Sequence, residues 1–137
     1  MKASGTEGKN TVSQGNKKDV EDTNTIITNQ NQDKASSHTV TIDANDKNDK
    51  VEVTLKDVNI DTSKQNKAAV SVTGSGDTTI ELDGDNKLKS GSAHAGLEHN
   101  KTDTSGELTI QDNNKDGGSL KATGWTIWCR HRRRWRQ

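Results

Sequence analysis

Apolar residues along this chain come in short alternating runs separated by turn-forming residues. Val53-Thr54-Leu55, Ile80-Glu81-Leu82 and Leu108-Thr109-Ile110 recur at offsets of 27 and 28 residues. A second series, Val40-Thr41-Ile42, Val70-Ser71-Val72 and Leu97-Glu98-His99, runs alongside at offsets of 30 and 27. A third consists of Val58-Asn59-Ile60, then Leu88, then Leu120. Alternation over three to five positions predicts a strand with one buried face. The intervening segments, such as DTSKQNK, GSGD, DGDN and DNNKDGGS, are rich in Asn, Asp and Gly, which tolerate left-handed backbone angles. Three short strands per period of about 27 residues, in fixed order with polar corners, predict an all-β solenoid, a parallel β-helix fragment of about three coils. The alternative is an antiparallel β-sandwich of eight or nine short strands.

Composition changes this picture in one respect. Only 25% of the residues are hydrophobic, too few to fill a round globular core. A thin core, to which each strand adds one or two Val, Ile or Leu, is within reach. Residues 1–24 read as a polar flexible arm and 25–124 as the β-helix domain, its best-defined body at about 38–124.

Residues 125–137 form an Arg/Trp-rich atypical tail, WTIWCRHRRRWRQ, which holds every Trp, the lone Cys and all five Arg. One choice of codons for Trp128–Gln137, read one base over, encodes Gly-Ala-Gly-Ile followed by a Gly run, so the tail reads as frame-shifted or as a truncated gene end. It also hides a charge imbalance. The formal net charge is zero, but without the tail's Arg there are 15 basic against 20 acidic residues. A body of that sign is a poor nucleic-acid binder. Nucleic acid or membrane would engage only through 125–137, as in a basic-tailed effector. A single Cys gives no disulfide framework. No apolar signal segment opens the chain, so alone it would be cytoplasmic.

The runs HTVTIDANDKNDKVEVTLKDVNIDT, AAVSVTGSGDTTIELDGDNKLKSGSAHAGLE and GELTIQDNNKDGGSLKATG resemble carbohydrate-binding-type β-helix modules of surface proteins from gut and cellulolytic Gram-positive bacteria. The resemblance covers roughly residues 25–124. It implies a right-handed parallel β-helix, an extracellular or cell-surface parent protein, and polysaccharide as the partner. Calcium at Asp-rich turns is a property of some relatives. The chain departs from the pattern in lacking an export signal and a final Gly-rich coil, which would leave a sheet end open to self-association. An adhesin-like surface protein without sugar specificity is the competing reading.

Sugar sites commonly stack an aromatic ring on the pyranose. Residues 1–124 offer no aromatic side chain apart from His, so binding here falls to arrays of hydrogen-bonding side chains. The outward strand positions Thr54, Lys56, Glu81, Thr109 and Gln111 are the candidates. For calcium, Asp112, Asn114 and Asp116 match the D-x-N-x-D-G opening of a binding loop, in which alternate oxygens converge on one ion. The twelfth position is Thr123 where an EF-hand has its bidentate Glu, so that motif is not supported. Asp83-Gly84-Asp85-Asn86 and Asp43-Ala44-Asn45-Asp46 are poorer versions. His94 and His99 are five residues apart around a predicted strand, which turns them to opposite faces. They read as corner or surface residues. No Ser/His/Asp order, phosphate loop or CxxC pair appears, and the chain is not expected to be an enzyme.

Overall fold

The computed structural model describes residues 1–3, 9–14, 16–29, 31, 33–91, 94–100, 106–112 and 117–124. These contain thirteen strands and no helix. The strands are β1 Lys2–Ala3, β2 Lys9–Gln14, β3 Lys17–Thr23, β4 Ile26–Thr28, β5 Val40–Asp43, β6 Lys50–Lys56, β7 Asn59–Asp61, β8 Val70–Thr73, β9 Asp77–Asp83, β10 Asp85–Lys89, β11 Leu97–Asn100, β12 Leu108–Gln111 and β13 Ser119–Thr123.

They form three sheets. The six-stranded sheet has the order β11-β8-β5-β1-β2-β3, the four-stranded sheet β12-β9-β6-β4, and the three-stranded sheet β13-β10-β7. From β5 onward the chain visits the six-, four- and three-stranded sheets in strict rotation. Every pairing among β4–β13 is parallel. That overturns the antiparallel sandwich, which needs neighbouring strands joined by hairpins. The two antiparallel pairings, β1 with β2 and β2 with β3, both lie within the first 24 residues.

Alternation makes the strands one-sided. β6 and β9 bury every second residue, and Ile42, Val51, Val53, Leu55, Val58, Ile60, Val70, Val72, Ile80, Leu82, Leu88, Leu97 and Leu108 form one shared cluster. Much of the register follows the sequence repeat. Val40 pairs with Val70 and Val70 with Leu97, while Val53 pairs with Ile80 and Ile60 with Leu88. The last passage departs from it. Ile110, not Leu108, faces Ile80, and Leu120 faces Asn86 where the repeat aligned it with Leu88. Each departure is two residues, and a side-chain period of two keeps the apolar residues inward through such a shift.

One core position is poorly matched. Thr78 stands in register between Val51 and Leu108, is 1% exposed, and its hydroxyl has no hydrogen-bond partner among the described residues. Replacing that orphaned group by an isosteric methyl removes a desolvation penalty. Thr78→Val is therefore expected to stabilise the chain by about 1 kcal/mol, read as a higher midpoint in chemical denaturation.

Residues 1–24, expected as a flexible arm, carry three strands. β1 continues the six-stranded sheet in parallel with β5, and β2 and β3 fold back on it. A polar anchor makes this possible. Asn10 is buried, and its amide donates to Thr25 Oγ1 at 3.0 Å and to the Glu52 carbonyl at 2.8 Å. β3, exposed along its whole length, ends the sheet with Lys17, Lys18, Asp19, Glu21 and Asp22. The register slips between Val12 and Gln14, and Asp19 opposite has a positive φ of 52°. A charged, bulged edge resists pairing with another chain.

Candidate functional site

The corners that present the strand faces are held by side chains reaching from one passage of the chain to the next. Asn86 is 1% exposed. Its Oδ1 accepts from the Val58 N–H at 2.9 Å, and its Nδ2 donates to the Asp83 and Ser119 carbonyls at 3.2 and 3.1 Å. Thr62, also buried, donates toward the Lys67 and Lys89 carbonyls. The turns entering β7, β10 and β13 each use a left-handed residue, Asp57, Gly84 and Gly117. Asp57 Oδ1 accepts from the Asp85 N–H at 3.2 Å, and the Ser119 N–H donates to the Gly84 carbonyl at 2.8 Å. These ties fix three outward faces.

The four-stranded sheet carries all five predicted sugar contacts on its outer side. Thr54, Glu81 and Gln111 are register partners and form one row across β6, β9 and β12, with the half-exposed Ile26 of β4 at its end. Lys56 lies one row further on, between Thr28 and Asp83. Thr109 lies one row the other way, beside Thr79 and Glu52. With Lys50, Asp77 and Glu107 this face bears five carboxylates and two ammoniums, and the Glu107 N–H donates to Asp77 Oδ1 at 2.9 Å.

The outer side of the three-stranded sheet has the opposite character. Lys87 and Lys121 are direct register partners, in one row with Asn59. Lys89 stands in the next row, between Asp61 and Thr123. Lys87, Lys89 and Lys121 are exposed, and none of them is ion-paired among the described residues. Two carboxylates share this face, and both are engaged locally. Asp85 Oδ1 accepts from Ser119 Oγ at 2.8 Å. The Ser63 hydroxyl, followed by the Ser63 N–H, holds the Asp61 carboxyl below its usual range, with Lys89 and Lys64 contributing less. The sequence reading missed this face. The signal lay in DNKLK and SLKAT, whose lysines fall on outward positions once the strands are in register.

A third feature was also missed. A shallow groove of about 200 Å³ crosses the outer side of the six-stranded sheet. Its floor includes the row Thr41, Ser71, Glu98, the middle residues of the second repeat series, and Asn66, Lys67 and His94 help to wall it. His94 Nδ1 lies 2.9 Å from Glu98 Oε1. His99 is 7% exposed, which corrects its reading as a corner or surface residue. It takes an inward position of β11, register partner to Val72.

Of the calcium candidates, Asn114 and Asp116 lie outside the described residues. The Asp112 carboxylate accepts from the Gly118 N–H at 3.1 Å. Of the two poorer loops, Asp83-Gly84-Asp85-Asn86 has its side-chain oxygens of Asp85 and Asn86 in internal bonds. Asn86 is buried as above, and the Asp46 N–H donates to Asp49 Oδ2. Among the described residues no three His, Cys, Asp or Glu side chains converge as metal ligands. The tail 125–137 lies outside the described residues. Comparison with protein-family models, curated proteins and solved structures finds no match.

Proposed function

We propose that this chain is a non-catalytic polysaccharide-binding module, built as a right-handed parallel β-helix and belonging to a protein that acts at or outside the cell surface. Rotation through three sheets with parallel pairing supports the solenoid reading, and the general preference of parallel crossovers for one hand supports right-handedness. The observation that carries the functional reading is the row Thr54, Glu81, Gln111 on the four-stranded sheet. Three polar side chains of different donor and acceptor character stand on consecutive strands, about 4.8 Å apart, on a sheet anchored by a packed core. A glycan lying across the strands meets hydroxyl-matching groups at every step. Lys56 and Thr109 extend the array by one row on either side.

Without an aromatic platform each contact is weak, and retention comes from many contacts along one polymer. Affinity electrophoresis through gels containing a neutral β-glucan tests the reading. The chain is expected to be retarded, and Thr54→Ala/Glu81→Ala/Gln111→Ala to lose most of that retardation while keeping its β-type circular dichroism. Unaltered migration of the native chain in a panel of neutral polysaccharides sinks the proposal, as does full retardation of the triple variant.

A further inference from the structure

We propose that the outer face of the three-stranded sheet is a second binding surface, selective for a sparsely charged acidic polysaccharide such as a polyuronate. The proposal rests on the polysaccharide reading above and adds a substrate class to it. Its starting point is a cost. Lys87 and Lys121 are direct partners on adjacent parallel strands, which sets their backbones about 4.8 Å apart. Like charges placed so oppose each other and destabilise a sheet. Lys89 adds a third ammonium on the same face, two residues along β10, about 6.6 Å away. The core does not require these charges, because the positions point outward and β10 buries only Asn86 and Leu88. Asp61, beside Lys89, and Asp85 offset part of this charge and leave the lysines in excess by one on the face. Asp85 is taken by Ser119, and Asp61 is held chiefly by Ser63.

The occupant follows from charge complementarity and charge density. Three lysines whose backbone positions lie within about 8 Å of one another attract an anion, and the adjoining Thr123 hydroxyl suits a polyol. A nucleic acid is the poorer match. It carries a phosphate charge about every 1.7 Å of duplex and depends on many phosphate contacts, whereas this face offers three and the body outside the tail is net acidic. Lysine also presents a point charge rather than the planar fork with which arginine grips phosphate. A uronate polymer, with one carboxylate per sugar, needs only a few widely spaced ammoniums. The acidic four-stranded face would repel the same polymer, so the two faces sort neutral from acidic glycans.

The test uses the full chain, with its five Arg in every variant. Lys87→Gln/Lys89→Gln/Lys121→Gln is compared with Lys17→Gln/Lys18→Gln/Lys34→Gln, an equal change in net charge at exposed sites elsewhere. Retention is measured on immobilised polygalacturonate at low and moderate salt, and on the neutral β-glucan. The first triple is expected to lose at least tenfold in polygalacturonate affinity and none in β-glucan affinity. The second is expected to bind both as the native chain does. Equal losses in the two triples, or no loss in the first, overturn the proposal, and so does a native chain that polygalacturonate does not retain. Competition by a DNA oligonucleotide at lower charge concentration than soluble polygalacturonate would reassign the face. Loss of β-glucan binding in Thr54→Ala/Glu81→Ala/Gln111→Ala, with polygalacturonate binding intact, tells failure of one surface from failure of the other.

Discussion

Asn86→Ala is expected to cost this chain about 2–4 kcal/mol. The side chain is buried and satisfies one N–H and two carbonyls, on Val58, Asp83 and Ser119. The Asp83 carbonyl keeps the Asp57 N–H, but a buried backbone group left without a partner costs about 1–3 kcal/mol, and the truncation leaves a small cavity as well. The three partners belong to three different passages of the chain, so the loss is not confined to one turn. Urea denaturation followed by circular dichroism measures it. While its acid is protonated, Asn86→Asp keeps the Val58 contact and one O–H donor in place of two N–H donors, so it should fall between the native chain and Asn86→Ala. A midpoint for Asn86→Ala within experimental error of the native chain would refute the corner account.

Gly74→Ala is the second large effect, with an expected loss of about 3–4 kcal/mol. Gly74 has φ of 96°, a region L-residues rarely adopt. An added Cβ would lie 2.1 Å from the Ala44 carbonyl oxygen, which is backbone and fixed by the Gly76 N–H. Strained φ costs about 1–3 kcal/mol, and overpacking a similar amount. Gly84→Ala provides the contrast. Its φ of 66° is the ordinary left-handed well, and its Cβ would meet the Asp57 carboxylate, a side chain that can turn away at the loss of its bond from the Asp85 N–H. That substitution should cost about 1–2 kcal/mol. A thermal melt of the two variants side by side gives the order, and Gly84→Ala melting lower than Gly74→Ala would contradict it.

The strands of the repeating body were legible because each stands on its own alternation. Val53-Thr54-Leu55 and Val70-Ser71-Val72 declare a buried face whatever their neighbours are, and their register followed from equal spacing. Thr54, Glu81 and Gln111 were legible as outward positions for the same reason. What failed was register across unequal corners. The corners before β12 and β13 are longer than those of the preceding passage by three and four residues. The strands within the first 24 residues were not legible because their anchor, Asn10, is polar and gains its place from the Glu52 carbonyl 42 residues away. The lysine pair was invisible for a similar reason. Lys87 and Lys121 are 34 residues apart, and only the observed register makes them neighbours.

Carboxylates gathered on one outer face and ammoniums on another give the body a dipole transverse to the direction in which its strands stack. Such a body does not meet a charged surface at random. Within about 8 Å at physiological ionic strength, a polyanionic layer exerts a torque that turns the lysine face inward before any contact forms. Encounters in that orientation become more frequent, and the four-stranded face is left turned away from the layer.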